Sequence, residues 1–190
     1  MAFLVAAVGG LAFGGVDQYL GTVRFLALFG SWPSVVSGMS APWLLLPFLV
    51  GCTQREPRRA MLLGLVATLA ALLGYFALTL SPLEGVAVSR FPTAFVALVR
   101  EDRLWVVGGL IFGPLYGLLG QRWRVGRSRI GIGLVAGAFC LEPFVRQALG
   151  RLGTAGPVWV AEVAAGAALA VTLVVLSRRR RDPPQAPSAG

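Results

Sequence analysis

The chain has 190 residues, of which 56% are hydrophobic and 13% charged, and its mean hydropathy is +0.76. Soluble domains carry about a quarter charged residues, so this composition indicates an integral membrane protein. All 17 basic residues are arginine, and histidine and lysine are absent. These absences exclude Ser-His-Asp and Cys-His catalysis, a lysine Schiff base and zinc ligation by imidazole. We predict no cofactor, no metal site and no catalytic residue.

The first apolar stretch covers residues 1–16 and reaches residue 20 if it continues through Asp17. It has no basic leader, so we read it as a spanning helix and not as a signal peptide. A span needs about 20 mostly apolar residues. The other predicted spans are the end of the uncharged stretch 25–52, then 60–80, 104–120, 130–145 and 158–177. Three prolines make the second one short or irregular: Pro33, Pro42 and Pro47.

This pattern predicts an all-α bundle of six transmembrane helices over residues 1–177. The basic, proline-rich segment 178–190 should be a disordered tail. Cys52 and Cys140 fall in apolar segments at opposite membrane depths, so we expect two small buried hydrophobic residues and no disulfide.

The arginines indicate the orientation. With a cytoplasmic amino terminus, the segments 53–59, 121–129 and 178–190 lie inside and hold eleven arginines and two acids. The other six arginines and six acids lie outside or in the outer parts of spans, so the whole formal charge of +9 falls on one side. Short cytoplasmic loops carry such an excess in membrane proteins. We therefore expect both termini to be cytoplasmic in a bacterial inner-membrane protein, with the lipid bilayer and not nucleic acid as its partner.

Small residues recur at intervals of four along three spans. The sets are Ala6, Gly10 and Gly14; Gly109, Gly113 and Gly117; and Gly133 and Gly137. Small residues allow the close helix approach on which association in lipid depends. We expect them to pack the bundle internally; the alternative is docking of a second membrane subunit, above all on the first helix.

Two prolines lie within spans, Pro114 in the fourth and Pro143 in the fifth. Each removes a backbone donor and frees a carbonyl one turn earlier. We expect a helix break at each, facing protein or a hydrated interior; the alternative is a proline that only kinks a packed helix.

Buried acids are the candidate ligand-binding residues. Glu142 lies about 20 Å along its helix from Arg129, which is roughly 10 Å below the outer surface of a core about 30 Å thick. Glu162 and Asp17 reach a similar level on other helices. Arg146 follows Glu142 by one turn, so an internal ion pair is the alternative to ligand binding. Asp17 has the alternative of capping its helix.

Four stretches of the sequence are similar to those of a known family: "SAPWLLLPFLVG", "LLGLVATLAALLGYFALTL", "GGLIFGPLYGLLGQRWR" and "GLVAGAFCLEPF". They resemble a family of uncharacterised six-helix bacterial membrane proteins, mostly actinobacterial. Its more specific elements are Gly74 with Tyr75, Gly113 with Pro114, and Glu142. The resemblance implies architecture and no activity.

The chain is more loosely similar to the S-components of energy-coupling-factor transporters. That resemblance implies docking through Ala6, Gly10 and Gly14 and a ligand near the outer surface.

We therefore expect a protein that binds or takes up a small molecule through a polar site formed by Glu142, Arg146, Glu162 and Asp17. The second hypothesis is a structural or assembly subunit that docks through its glycine faces. The third hypothesis is a membrane enzyme that acts on lipid-like substrates. This hypothesis has little support, because the chain has no histidine and no metal-ligand spacing.

Overall fold

A computed structural model of the chain describes residues 1–22, 32–84, 91–126, 128–149 and 156–179. These residues form helices and no strand, and we number the α-helices in chain order. The helices are α1 (Ala2–Leu20), α2 (Trp32–Ser37), α3 (Ala41–Cys52), α4 (Pro57–Thr79), α5 (Phe91–Glu101), α6 (Arg103–Gly126), α7 (Arg129–Ala148) and α8 (Gly156–Arg179). A short 3-10 turn, Pro82–Glu84, follows α4.

Five of these helices, α1, α4, α6, α7 and α8, are long and apolar enough to cross a membrane. Each coincides with a predicted span, which confirms an all-helical, multi-pass membrane protein. Helix α8 extends to Arg179; the rest of the predicted tail lies outside the described residues. Both cysteines are free.

The second predicted span is divided into two helices. Helix α2 has 6 residues and α3 has 12, and residues 38–40 separate them. Pro42 lies in the first turn of α3, where its missing N–H would have no partner in the helix anyway. The chain therefore ends one helix and begins another here, and we call residues 38–40 the interruption.

The prediction of breaks at Pro114 and Pro143 was wrong. Both prolines lie inside continuous helices, α6 and α7. A proline removes one hydrogen bond, but in transmembrane helices neighbouring groups can compensate for it. The interruption falls instead at Gly38, where the chain passes from α2 towards α3.

Helices α1 and α4 run side by side in the same direction. A Cβ added to Gly10 would lie 2.9 Å from the Ala70 Cβ, and one added to Gly14 would overlap the Ala71 carbonyl oxygen. The contacts thus advance along both helices together. On a neighbouring face of α4, α6 runs antiparallel, with Gly109 against Leu72, Gly113 against Gly64 and Thr68, and Gly117 against Ala60. The predicted small residues on α1 and α6 therefore lie at helix contacts within the chain.

The largest apolar core joins α3, α6, α7 and α8. It consists of Ala41, Phe48, Tyr116, Leu119, Ile132, Val135, Phe139 and Leu173. Phe48 and Val135 are fully buried in it. This core packs the divided second element against the α7–α8 pair, which brings Glu142 beside the interruption.

Helix α5 was not predicted from the sequence. Its polar residues Thr93, Arg100 and Glu101 share one face at helical spacing and apolar residues cover the rest, which is an amphipathic pattern. The ring of Phe95 lies edge-on to Phe76, with 6.2 Å between centroids. The sequence signal was therefore present, and α5 lies beside the end of α4.

Candidate functional site

The Glu142 carboxylate caps the amino terminus of α3. It accepts hydrogen bonds from the backbone N–H of Ser40, at 2.7 and 2.9 Å, and of Ala41, at 2.8 Å. Ser40 makes no side-chain capping bond of its own. A helix start leaves backbone donors unpaired and carries partial positive charge, so a carboxylate is stabilised there. The cap comes from a helix about a hundred residues further along the chain.

Arg146 contacts one end of the interruption directly and the other end through Glu142. Its guanidinium pairs with Glu142 at 2.7 Å, and it donates to the carbonyl oxygen of Gly38. The guanidinium also lies 5.4 Å from the centre of the Trp159 ring, in cation–π geometry. We name Glu142 and Arg146 together the α7 clamp. The alternative of an internal ion pair is therefore present, and the pair also binds the backbone of the second element.

Glu162 lies beside the α7 clamp on α8. It is 4% exposed, and both carboxyl oxygens lack a hydrogen-bond partner within the described part of the chain. Glu142 and Arg146 are close enough to act on it electrostatically. The three residues predicted together on the fifth and sixth spans are thus neighbours.

A cavity of about 590 Å³ opens on the other side of the interruption. Its walls come from α1, α3, α4 and α6, together with residues 37–40. The lining residues are Asp17, Ser37, Gly38, Met39, Ser40, Trp43, Leu44, Pro47, Thr68, Leu72, Tyr75, Phe76, Asp102, Leu104, Trp105, Gly108, Gly109, Phe112 and Gly113. Glu142, Arg146 and Glu162 are not lining residues; they lie behind the wall formed by the interruption.

Asp17 is the predicted site residue that does line the cavity. It lies within α1, three residues before the helix ends, and is 8% exposed. The Trp43 side chain lies beside its carboxyl group. The Trp43 ring in turn lies edge-on to Phe13, at 5.5 Å, and to Tyr75, at 6.3 Å. Asp17 therefore belongs to an aromatic wall built by three helices.

Asp102, in the turn between α5 and α6, is the second acid of the cavity. Burial raises the pKa of its carboxyl group, and the neighbouring charge of Glu101 raises the pKa further. Asp102 and Asp17 both act electrostatically on the Tyr75 hydroxyl. Sequence analysis did not place Asp102 in the same cavity as Asp17, because the two residues come from separate segments.

The cavity and the basic segments occupy opposite ends of the bundle. At the basic end, the Arg124 side chain donates to the carbonyl oxygens of Cys52 and Thr53, at 3.0 and 2.6 Å. Gln121 donates to the carbonyl of Arg55 at 2.7 Å. Asp102 and Leu104 lie at the other end of α6. In the described part of the chain, no group of three or more Cys, Asp or Glu residues could hold a metal ion.

These features define a multi-pass helical membrane protein with an acidic, aromatic cavity at one end of its bundle. Residues 1–186 match DUF6518, a family of unknown function, and the chain belongs to this family. The predicted membership of an uncharacterised family is thereby confirmed. No curated protein and no solved structure matches the chain.

Proposed function

We propose that this protein binds a small molecule in the cavity beside Asp17, as a binding or uptake protein of the bacterial inner membrane. The observation that carries the proposal is a cavity of about 590 Å³ that contains a nearly buried acid. Ligand pockets enclose about 300–1,000 Å³ and combine apolar walls with a few polar groups. Acids within membrane helices usually serve ligands, ions or partners, because burying them in lipid is costly.

The two sides of the interruption have different roles in this proposal. Asp17, Trp43 and Asp102 contact the bound molecule, since they line the cavity. Glu142 and Arg146 act as positioning residues, because they hold the backbone of Gly38 and Ser40, which forms part of the wall. A ligand site that includes Glu142, Arg146 and Glu162 stays a prediction from the sequence.

The alternative, docking of a partner subunit through the glycine faces, has less support. Ala6 is buried with Leu63 and Ala67 of α4. Gly10 and Gly14 lie against the same helix, and Gly113 and Gly117 lie against a neighbouring face of it. A partner would have to displace α4 in order to use these residues.

Filling the cavity tests the binding proposal. Gly108 lines it, and a Cβ added there would meet only Phe112 Cδ2, at 3.9 Å. Gly108→Leu should therefore occupy the cavity without disturbing a helix contact. Gly133→Leu is the matched control, since Gly133 lies on α7 and a Cβ there meets nothing within 4 Å.

The measurement is native mass spectrometry of the full chain in lipid nanodiscs, after incubation with an extract of bacterial small molecules. We expect a bound molecule on the wild type and on Gly133→Leu, and its loss from Gly108→Leu. An adduct of equal occupancy on both variants, or none on the wild type, would contradict the proposal.

We further propose six crossings with both termini in the cytoplasm. Helices α1 and α4 run in the same direction. Two parallel spans need a return crossing between them, and the divided second element is the segment available for it. The hydrogen bonds of Arg124 also bring two of the arginine-rich segments together at one end. An orientation with this end inside satisfies the positive-inside rule.

Cysteine labelling tests this topology in a background where Cys52 and Cys140 are replaced by alanine. The positions are Trp32, Glu56 and Leu83, which are all exposed. In intact cells an impermeant maleimide should label Trp32→Cys and Leu83→Cys, whereas Glu56→Cys should react only after lysis. Labelling of Trp32→Cys and Glu56→Cys from the same side would show that the second element does not cross.

A further inference from the structure

The cavity is lined by acidic side chains, and no described basic residue lines it to neutralise them. Asp17 and Asp102 are its two charged lining residues within the described part of the chain. Neither forms an ion pair with another described residue. Asp17 is 8% exposed, so little solvent reaches a charge on its carboxyl group. An ionised acid in such a place gains most from a positively charged partner.

Arg146 is the arginine that reaches the interruption, but it does not supply this partner. Its guanidinium is bonded to Glu142 and to the Gly38 carbonyl, and it packs on Trp159. It is not among the residues that line the cavity. Its charge is therefore engaged on the far side of the wall.

Aromatic rings make up a large part of the remaining surface. The aromatic lining residues are Trp43, Tyr75, Phe76, Trp105 and Phe112. Edge-on contacts with Phe13 and Tyr75 hold the Trp43 ring beside Asp17. Fixed aromatic faces next to an acid are the recognition surface of ammonium groups, which they attract through cation–π interactions.

The other lining side chains are mostly apolar, including Met39, Leu44, Leu72 and Leu104. A hard metal cation requires six or more oxygen ligands or retained waters, which this surface does not offer. We propose that the cavity takes an organic cation, an ammonium group with apolar substituents, with Asp17 as its counter-ion. This inference rests on the proposed function and adds the chemical class of the molecule.

Paired probes of equal shape test the role of the charge. Choline and its uncharged isostere 3,3-dimethylbutan-1-ol differ at one atom, nitrogen or carbon, and benzyltrimethylammonium is a larger aromatic cation. Binding is measured by calorimetry with the full chain in nanodiscs at constant ionic strength, against empty nanodiscs. We expect both cations to bind the wild type about tenfold more tightly than the alcohol, or better.

Asp17→Asn keeps the shape of the side chain and removes its negative charge. It should reduce the preference for the cations about tenfold while Gly108→Leu abolishes binding of all three probes. Glu56→Gln is the control, because it removes one acid at the basic end of the bundle; its affinities should equal those of the wild type. Asp102→Asn gives a second test if Asp17→Asn does not fold, and it should also weaken the preference.

The outcomes separate this inference from the proposed function. Equal binding of choline and the alcohol, lost in Gly108→Leu, would overturn the cationic class and leave the binding cavity intact. An unchanged preference in Asp17→Asn, or in Asp102→Asn where Asp17→Asn does not fold, would also overturn it. The proposed function fails only with the native mass spectrometry experiment, in which no cation is presumed.

Discussion

Replacing Gly14 with alanine should destabilise the bundle by about 3 kcal/mol, the upper part of the range for overpacking. The added Cβ would overlap the carbonyl oxygen of Ala71, which belongs to the backbone of α4 and cannot rotate away. The two helices must then separate along the contact that also contains Gly10 and Ala67. The measurement is the free energy of unfolding of the full chain in mixed detergent micelles.

Gly15→Ala is the matched control on the same helix. A Cβ at Gly15 would lie 4.0 Å from the Gly74 carbonyl oxygen, an ordinary contact distance. Alanine favours a helix over glycine by about 1 kcal/mol, so this variant should be as stable as the wild type or more stable. Equal effects of the two substitutions would mean that α1 and α4 do not pack as closely as the structure shows.

Replacing Glu142 with alanine should destabilise the protein by about 3 kcal/mol, the lower end of the range for breaking a buried ion pair, because this pair is only partly buried. The substitution leaves the Arg146 guanidinium without its carboxylate and leaves the N–H groups of Ser40 and Ala41 unpaired. Unfolding in the same micelles measures the effect. Glu56→Ala, at an exposed position, should change the stability little.

A double-mutant cycle separates the two parts of this effect. If the α7 clamp acts as one unit, Arg146→Ala should partly relieve the effect of Glu142→Ala, with an interaction energy of about 1–3 kcal/mol. Additive effects would contradict the clamp. Glu142→Gln distinguishes direct ligand contact by Glu142 from a positioning role. If this variant is as stable as the wild type but no longer binds a molecule, direct contact is favoured.

The sequence predicted that Glu142, Arg146 and Glu162 lie together, because their levels follow from distance along each helix. The structure brings these three residues close together. The hydrogen-bond partners of these residues could not be predicted from the sequence. The carboxylate of Glu142 bonds to Ser40, and such a contact depends on how two helices are rotated towards each other.

The irregularity of the second span was predicted from Pro33, Pro42 and Pro47, but the position of the interruption within it was not. Helix breaks were predicted at Pro114 and Pro143, because both prolines lie in the middle of apolar spans. The sequence Gly38-Met39-Ser40 before Pro42 was the better indication, since it combines a flexible residue, an N-cap type and a proline suited to the first turn.

The sequence by itself determined the class of protein, because lipid imposes its requirement on each segment separately: a long enough apolar run must form a helix, and a short loop must carry the right charge. Tertiary structure alone decided the cavity and the partners of its acids. Asp17, Trp43, Tyr75 and Asp102 come from four separated segments. They meet only because glycine contacts set the distance and rotation of α1, α4 and α6, and no local pattern encodes that arrangement.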